Sequence, residues 1–253
     1  MGAIYSLWLR DIYRLKREPS RWIGVIAQPL LFWIILGGGL NQRFFSDSVQ
    51  SQSYLMYFYP GALVMMVLFT SIFSSISLIE DKQAGFLRAV LVSPENPVSI
   101  VLGKLFGVMS IIFLQSLVFL SFLTFAGYDF QAVNWFLTFG ILFLGALCLS
   151  AVNYSAAWIM NSIQGYHSVM TIVFLPMWMV SGALFPLEGS WMSVLQYLNP
   201  ISYFLDILRF ALEGHGMKAF SSLYFQLFAL CCYSLIFMIV AYFATKYYKR
   251  DEQ

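Results

Sequence analysis

Six apolar runs, at about residues 22–40, 54–78, 104–127, 135–160, 167–185 and 221–245, constrain any fold this chain adopts. Each is roughly 20 residues or longer, enough to cross about 30 Å of hydrocarbon as a helix. In lipid a backbone N–H or C=O finds no water, so a spanning segment must satisfy its own hydrogen bonds as a helix or within a closed barrel. Continuous runs of this length, without period-two alternation, favour helices. Only 10% of the residues are charged and 60% are hydrophobic, against about 25% charged in a soluble domain. The expectation is an all-α, polytopic membrane protein with six transmembrane helices, forming one domain over residues 1–253.

Ahead of the first run, Arg10, Arg14 and Arg17 share one narrow helical arc. Ile4, Tyr5, Leu7, Trp8, Ile12 and Leu15 spread over a wide apolar one, so residues 1–20 read as an amphipathic helix on the membrane surface. Asp11 falls inside the apolar arc and requires a partner the sequence does not identify. Glu18-Pro19 ends the helix and turns the chain inward. Counting basic residues on alternate sides of the membrane places eleven with the termini and the central loop. Only Arg43, Arg209 and Lys218 fall on the other side. The positive-inside rule then puts both termini and the loop in the cytoplasm.

Two connections stand out. The first, EDKQAGFLRAVLVSPENPVSIVLGK from Glu80 to Lys104, is a charged island between two runs. Phe86, Leu87, Val90 and Leu91 recur at helical spacing until Pro94 and Pro97 stop the pattern, which predicts a short amphipathic helix in the loop 80–97. It is either a lever for a soluble partner, with Glu80, Asp81, Lys82 and Arg88 free to pair with it, or a solvated loop whose charges set topology. The second, residues 186–220, is too long for a turn and rich in apolar side chains on both sides of Asn199-Pro200. It reads as an external hairpin of two short helices dipping into the outer leaflet, or as a loop with lipid-contacting aromatics.

The chemistry of other transporters and enzymes is missing from the runs. No Asp or Glu lies in any of the six, which disfavours ion-coupled transport. Ser181 and His167 are 14 residues apart in one run, about 21 Å along a helix, too far for a nucleophile and its base. Cys148, Cys231 and Cys232 lie in apolar runs and suggest neither disulfide nor zinc site. Gly103-Lys104 is no phosphate-binding loop, because Val98 stands where its first glycine belongs and Leu105 where Ser or Thr would hold magnesium. Gly103 and Gly107 instead form a GxxxG pattern that allows close helix contact.

The block from Glu80 through GFLRAVLVSP (Gly85–Pro94) to IVLGK (Ile100–Lys104) resembles the central loop of type-2 permeases of ATP-binding-cassette exporters. LPMWMVSGALFP (Leu175–Pro186) followed by NPISYFLDILR (Asn199–Arg209) is similar to the fifth span and external hairpin of that family, in the flavour of daunorubicin-resistance and nodulation-factor export permeases. The resemblance implies a non-catalytic permease subunit in the bacterial inner membrane, paired as homodimer or heterodimer. It also implies two copies of a separate ATP-binding subunit, which carries the ATP and magnesium; no cofactor, metal or nucleic acid is expected on this chain. Coupling to the ATPase would run through Glu80, Asp81, Gly85, Phe86, Arg88, Leu91 and Pro94. The second and fifth spans would line the path, with Phe69, Ser71, Phe73, Ser74, Phe174 and Met177 as contacts, and Asn199 and Pro200 would mark the hairpin. An aromatic path without carboxylates suits drugs, lipids or lipid-linked saccharides. The competing readings are a stand-alone secondary carrier or channel, and a non-transporting membrane scaffold.

Overall fold

The computed structural model describes residues 2–44, 53–92, 95–187, 193–213 and 221–251, and all regular structure among them is helical. Pro94, the side chains of Arg88 and Leu91, and residues 188–192 and 214–220 of the expected hairpin lie outside the described residues.

Helix α1 (Ala3–Arg17) carries Arg14, Lys16 and Arg17 in its last turn, where cations face the negative end of the helix dipole. It stops at Glu18, whose N–H bonds back to Arg14 and Leu15, and Pro19 opens α2 (Pro19–Phe44); proline suits a first turn because its missing N–H would have had no partner there. Ser53 caps α3 (Tyr54–Gln83), its hydroxyl accepting from the N–H of Leu55 at 3.2 Å. After α3, Gly85 adopts φ +74° and turns the chain into α4 (Phe86–Val92). Asn96 caps α5 (Pro97–Leu120) through a 3.0 Å bond from Val98 N–H, and Asn134 caps α6 (Trp135–Ile159) through Leu137 N–H at 3.1 Å. The chain ends in α11 (Leu223–Asp251).

Five described helices are long and apolar enough to cross a membrane: α2 over Ile23–Leu40, α3, α5, α6, and α11 over Leu223–Lys249. The fifth expected run, 167–185, is helical but broken. It passes through α7 (Ile163–Val169), a π-helical stretch Met170–Phe174, α8 (Leu175–Trp178) and a second π stretch Met179–Ala183. Pro176 supplies the reason, since it lacks an N–H and its ring crowds the carbonyl four residues back, a strain that wider i to i+5 pairing accommodates. At Gly182 the backbone leaves the helix altogether, with φ +87°.

Two expectations are corrected. Helix α3 runs past residue 78 to Gln83, so Glu80 and Asp81 belong to a membrane helix and not to the loop helix. Helix α5 begins at Pro97, so Gly103 and Lys104 sit inside it and not at its start. In the region of the expected hairpin two short helices form, α9 (Ser193–Gln196) and α10 (Pro200–Glu213), and α10 packs inward, with Ile201, Phe204, Leu205, Ile207 and Leu208 fully buried among α6, α11, α3 and the broken helix. Gly145 of α6 makes this possible, because a Cβ there would stand 2.5 Å from the ring of Phe204.

Helix α3 is the axis of the bundle, buried around nearly its whole circumference by α2, α5, α6 and α10. The outer helices α2 and α11 instead turn broad apolar faces outward, with Ile35, Leu31, Phe228 and Ile239 exposed, as lipid-facing helices do.

Candidate functional site

Helix α1, the last turn of α3, α4 and the first half of α5 converge at one end of the bundle. Asp81, buried at 4% exposure, is the hub. Arg10 donates to it from both terminal nitrogens, Nη1 to Oδ2 at 2.6 Å and Nη2 to Oδ1 at 2.5 Å, the planar fork that matches a carboxylate. Arg14 adds Nη1 to Oδ1 at 3.3 Å and also pairs with Glu80 and Glu18. Lys104, equally buried, donates to Asp11 Oδ1 at 2.9 Å and to Asp81 Oδ2 at 3.3 Å. Asp11, the residue that spoils the apolar arc of α1, therefore has its partner on α5. The hydrogen bond to Asp81 lifts the Arg10 guanidinium above its ordinary pKa, against the opposing effect of its burial.

Close approach is what lets these charges meet. A Cβ on Gly107 would lie 2.9 Å from Asp11 Oδ2, and one on Gly103 would lie 3.0 Å from the Leu7 Cβ and 3.1 Å from the Ile4 carbonyl. The GxxxG face of α5 is the seat of α1. Trp8 extends the contact by donating its indole N–H to Ser110 at 2.9 Å.

The loop helix is tied to the same unit. The guanidinium of Arg10 lies 3.8 Å from the ring centroid of Phe86, a cation–π contact, while Leu87 is buried against the core. The charges expected to await a partner are therefore mostly engaged within the chain: Asp81 and Glu80 with α1, and Lys82 with α6. Lys82 donates to the carbonyls of Trp158 and Met160 at 2.9 and 3.1 Å, capping the C-terminal end of that helix. An open groove of about 760 Å³ runs along α1 beside the α3 terminus, lined by Tyr5, Leu9, Tyr13, Arg17 and Ala84 together with the paired arginines.

The residues expected on a path are differently placed. Phe69, Ser71 and Phe174 are buried; the Ser71 hydroxyl bonds to the Val67 carbonyl at 2.9 Å and approaches Ser150 Oγ at 3.4 Å. Phe73 packs 6.5 Å from Phe69, and Phe73 and Met177 are half-buried against the core. Ser74 borders a small crevice of about 40 Å³ that it shares with Asp11 and Arg14, at the charged end.

At the opposite end, Asn199 caps α10 through Ile201 N–H at 3.0 Å and donates to the Met177 carbonyl at 2.6 Å. Pro200 forms the first turn of α10. Reading the residues alone missed Arg209, which is buried, lies 4.3 Å from the Tyr57 ring centroid and donates to the Gly182 carbonyl at 2.9 Å. Tyr57 donates to the same carbonyl at 2.7 Å, and Tyr54 to that of Leu184 at 2.7 Å. The carbonyls freed where the helix breaks are thus met by side chains. A signal was present: Asp206, Arg209 and Glu213 fall on one face of an otherwise apolar helix.

Among the described residues no group of three or more His, Cys, Asp or Glu side chains is placed to hold a metal. A bundle of long apolar helices with its charges gathered in a network at one end defines a polytopic membrane protein. The chain belongs to the ABC-2 type transporter family, whose model matches residues 2–212, and it is a membrane permease of that family. It is 34% identical to the transport permease ycf38 of Cyanophora paradoxa over 88% of this chain and 78% of that one. It is 22% identical to nodulation protein J of Neorhizobium galegae, over 91% and 88%. It is 26% identical to the daunorubicin resistance ABC transporter permease protein DrrB1 of Streptomyces coeruleorubidus, over 84% and 75%.

Proposed function

We propose that this chain is the permease subunit of an ABC exporter in a bacterial inner membrane, worked by a separate ATP-binding subunit. Its termini and α4 face the cytoplasm, the broken helix supplies a sixth crossing, and two permease subunits form the passage between them, as a homodimer, with two ATP-binding subunits beneath. ATP and magnesium belong to the partner.

The observation that carries this reading is the ion-paired unit of α1, the α3 terminus and α4. A short helix held to its neighbours by Phe86 on Arg10 and by buried Leu87 passes displacement on instead of absorbing it. Glu80, Asp81 and Gly85 then act by fixing where α4 points, and Phe86, Arg88, Leu91 and Pro94 supply the surface the partner presses. Phe69, Phe73, Ser71, Ser74, Phe174 and Met177 reach cargo when α3 and the broken helix shift in alternating access. An amphipathic cargo, a drug, lipid or lipid-linked saccharide, is consistent with the apolar bundle and with the names of two relatives, a daunorubicin resistance permease and a nodulation protein.

The test is reconstitution in liposomes with the ATP-binding subunit. Transport is expected to require ATP, and an Arg88→Glu variant is expected to lose at least tenfold. Transport by the isolated chain driven by an ion gradient would overturn the proposal.

A further inference from the structure

The proposed lever has to move something inside the membrane, and the contacts around Lys104 identify it. Lys104 is 4% exposed, lies within a helix long and apolar enough to span the bilayer, and has carboxylates of two different elements within reach. Asp11 belongs to the surface helix α1 and Asp81 to the end of α3, at 2.9 and 3.3 Å from Nζ. Burying a lysine in this way is costly unless it is hydrogen-bonded to partners of opposite charge, and both carboxylates meet that need. A methyl group on the adjacent Gly103 would stand 3.1 Å from the backbone carbonyl of Ile4 on α1, and one on Gly107 2.9 Å from the Asp11 carboxylate. Ionic and steric contacts thus fall on the same side of α5, and both are specific to one register of α1.

We infer that Lys104 is a positioning residue that locks the third membrane helix to the surface helix and to α3, so that a push on α4 and α1 displaces α5 as well. This rests on the coupling reading above and deepens it: α1 is not an independent pad on the membrane surface but one arm of a three-helix joint, with Lys104 as its pin. The alternative, that the buried pairs only stabilise the resting fold, predicts that freeing α1 from α5 leaves the transport obtained per ATP untouched.

The experiment uses the permease with its ATP-binding subunit, with the three native cysteines replaced and spin labels at Tyr13 on α1 and Leu114 on α5, both exposed. In the native joint the distance between labels is expected to be narrow and unchanged by ATP. The paired change Asp11→Asn with Lys104→Met removes the pin without stranding either charge. It is expected to broaden the distance and to lower substrate moved per ATP hydrolysed by at least tenfold. Gly103→Ala, which keeps every charge and crowds the α1 backbone at Ile4, is expected to do the same to a smaller extent. A distance that stays narrow in the paired variant, or a native transport-to-ATP ratio in it, overturns the inference. Absence of ATP-driven transport by the native complex would instead overturn the coupling reading, and the label distances would still decide whether Lys104 fixes the two helices.

Discussion

Asp81 is the acceptor for three cations from two other helices, and its neighbour Glu80 pairs with one of the same arginines at the half-exposed rim. Burial separates their weights. Asp81→Asn would leave Lys104 and Arg10 short of a counter-charge, a loss of about 3 kcal/mol by analogy with broken buried pairs. Glu80→Gln removes a solvent-screened pair worth at most about 1 kcal/mol. Thermal unfolding in detergent is expected to show a clear drop in midpoint for the first and almost none for the second. Gly85 makes a different kind of prediction. A Cβ there meets open space, so only the left-handed backbone resists substitution, at roughly 1–2 kcal/mol for most L residues. Gly85→Asn is expected to keep coupling and Gly85→Val to impair it while both insert normally, read as transport against surface expression. Asp11 shows where residue patterns stop being informative: helical spacing exposed it as an anomaly in its arc, but nothing local points to Lys104, 93 positions away.

Between elements, glycine decides which helices touch. Gly145 on α6 seats Phe204, whereas Gly140 one face round has nothing within 4 Å. Gly145→Ala is therefore expected to cost about 1–3 kcal/mol through overpacking. Gly140→Ala is expected to be neutral or stabilising by up to about 1 kcal/mol through helix propensity. Paired unfolding measurements separate them. Existence and type of α2, α3, α5, α6 and α11 were legible because a long apolar run has few alternatives in lipid. Their ends were less so. Charged residues from Glu80 to Lys82 look like loop, yet a helix needs only its backbone bonds to continue, and α1 neutralises the acids from far away in sequence. Similarly, α10 has the two-sided composition of an interfacial helix, but its three ionisable residues find partners inside the bundle, Asp206 on Gln226, Arg209 on Gly182 and Glu213 on Tyr128. The break in the fifth run was advertised by Pro176 and Gly182 without its geometry being deducible, since carbonyl partners come from α3 and α10.

For the molecule as a whole, orientation follows from where basic residues collect, and the structure concentrates Arg10, Arg14, Arg17 and Lys82 at the end that carries α4. A cysteine at Tyr13 is expected to react with an impermeant thiol reagent only from the cytoplasmic side, and one at Tyr224, exposed at the start of α11, only from the outside; the reverse pattern would invert the topology. The family was legible from two sequence blocks, whereas the site was legible only as a location. The surface that α4 meets in the proposed complex belongs to another chain and leaves no trace in this sequence. One consequence concerns the electric field across the bilayer. In the joint Arg10, Arg14 and Lys104 face Asp11, Asp81 and Glu80, three positive charges against three negative. Shifting that set along the membrane normal carries no net charge, so the potential difference does no work on it. The joint itself is therefore expected to add no voltage dependence to turnover, which a comparison of polarised and depolarised vesicles checks.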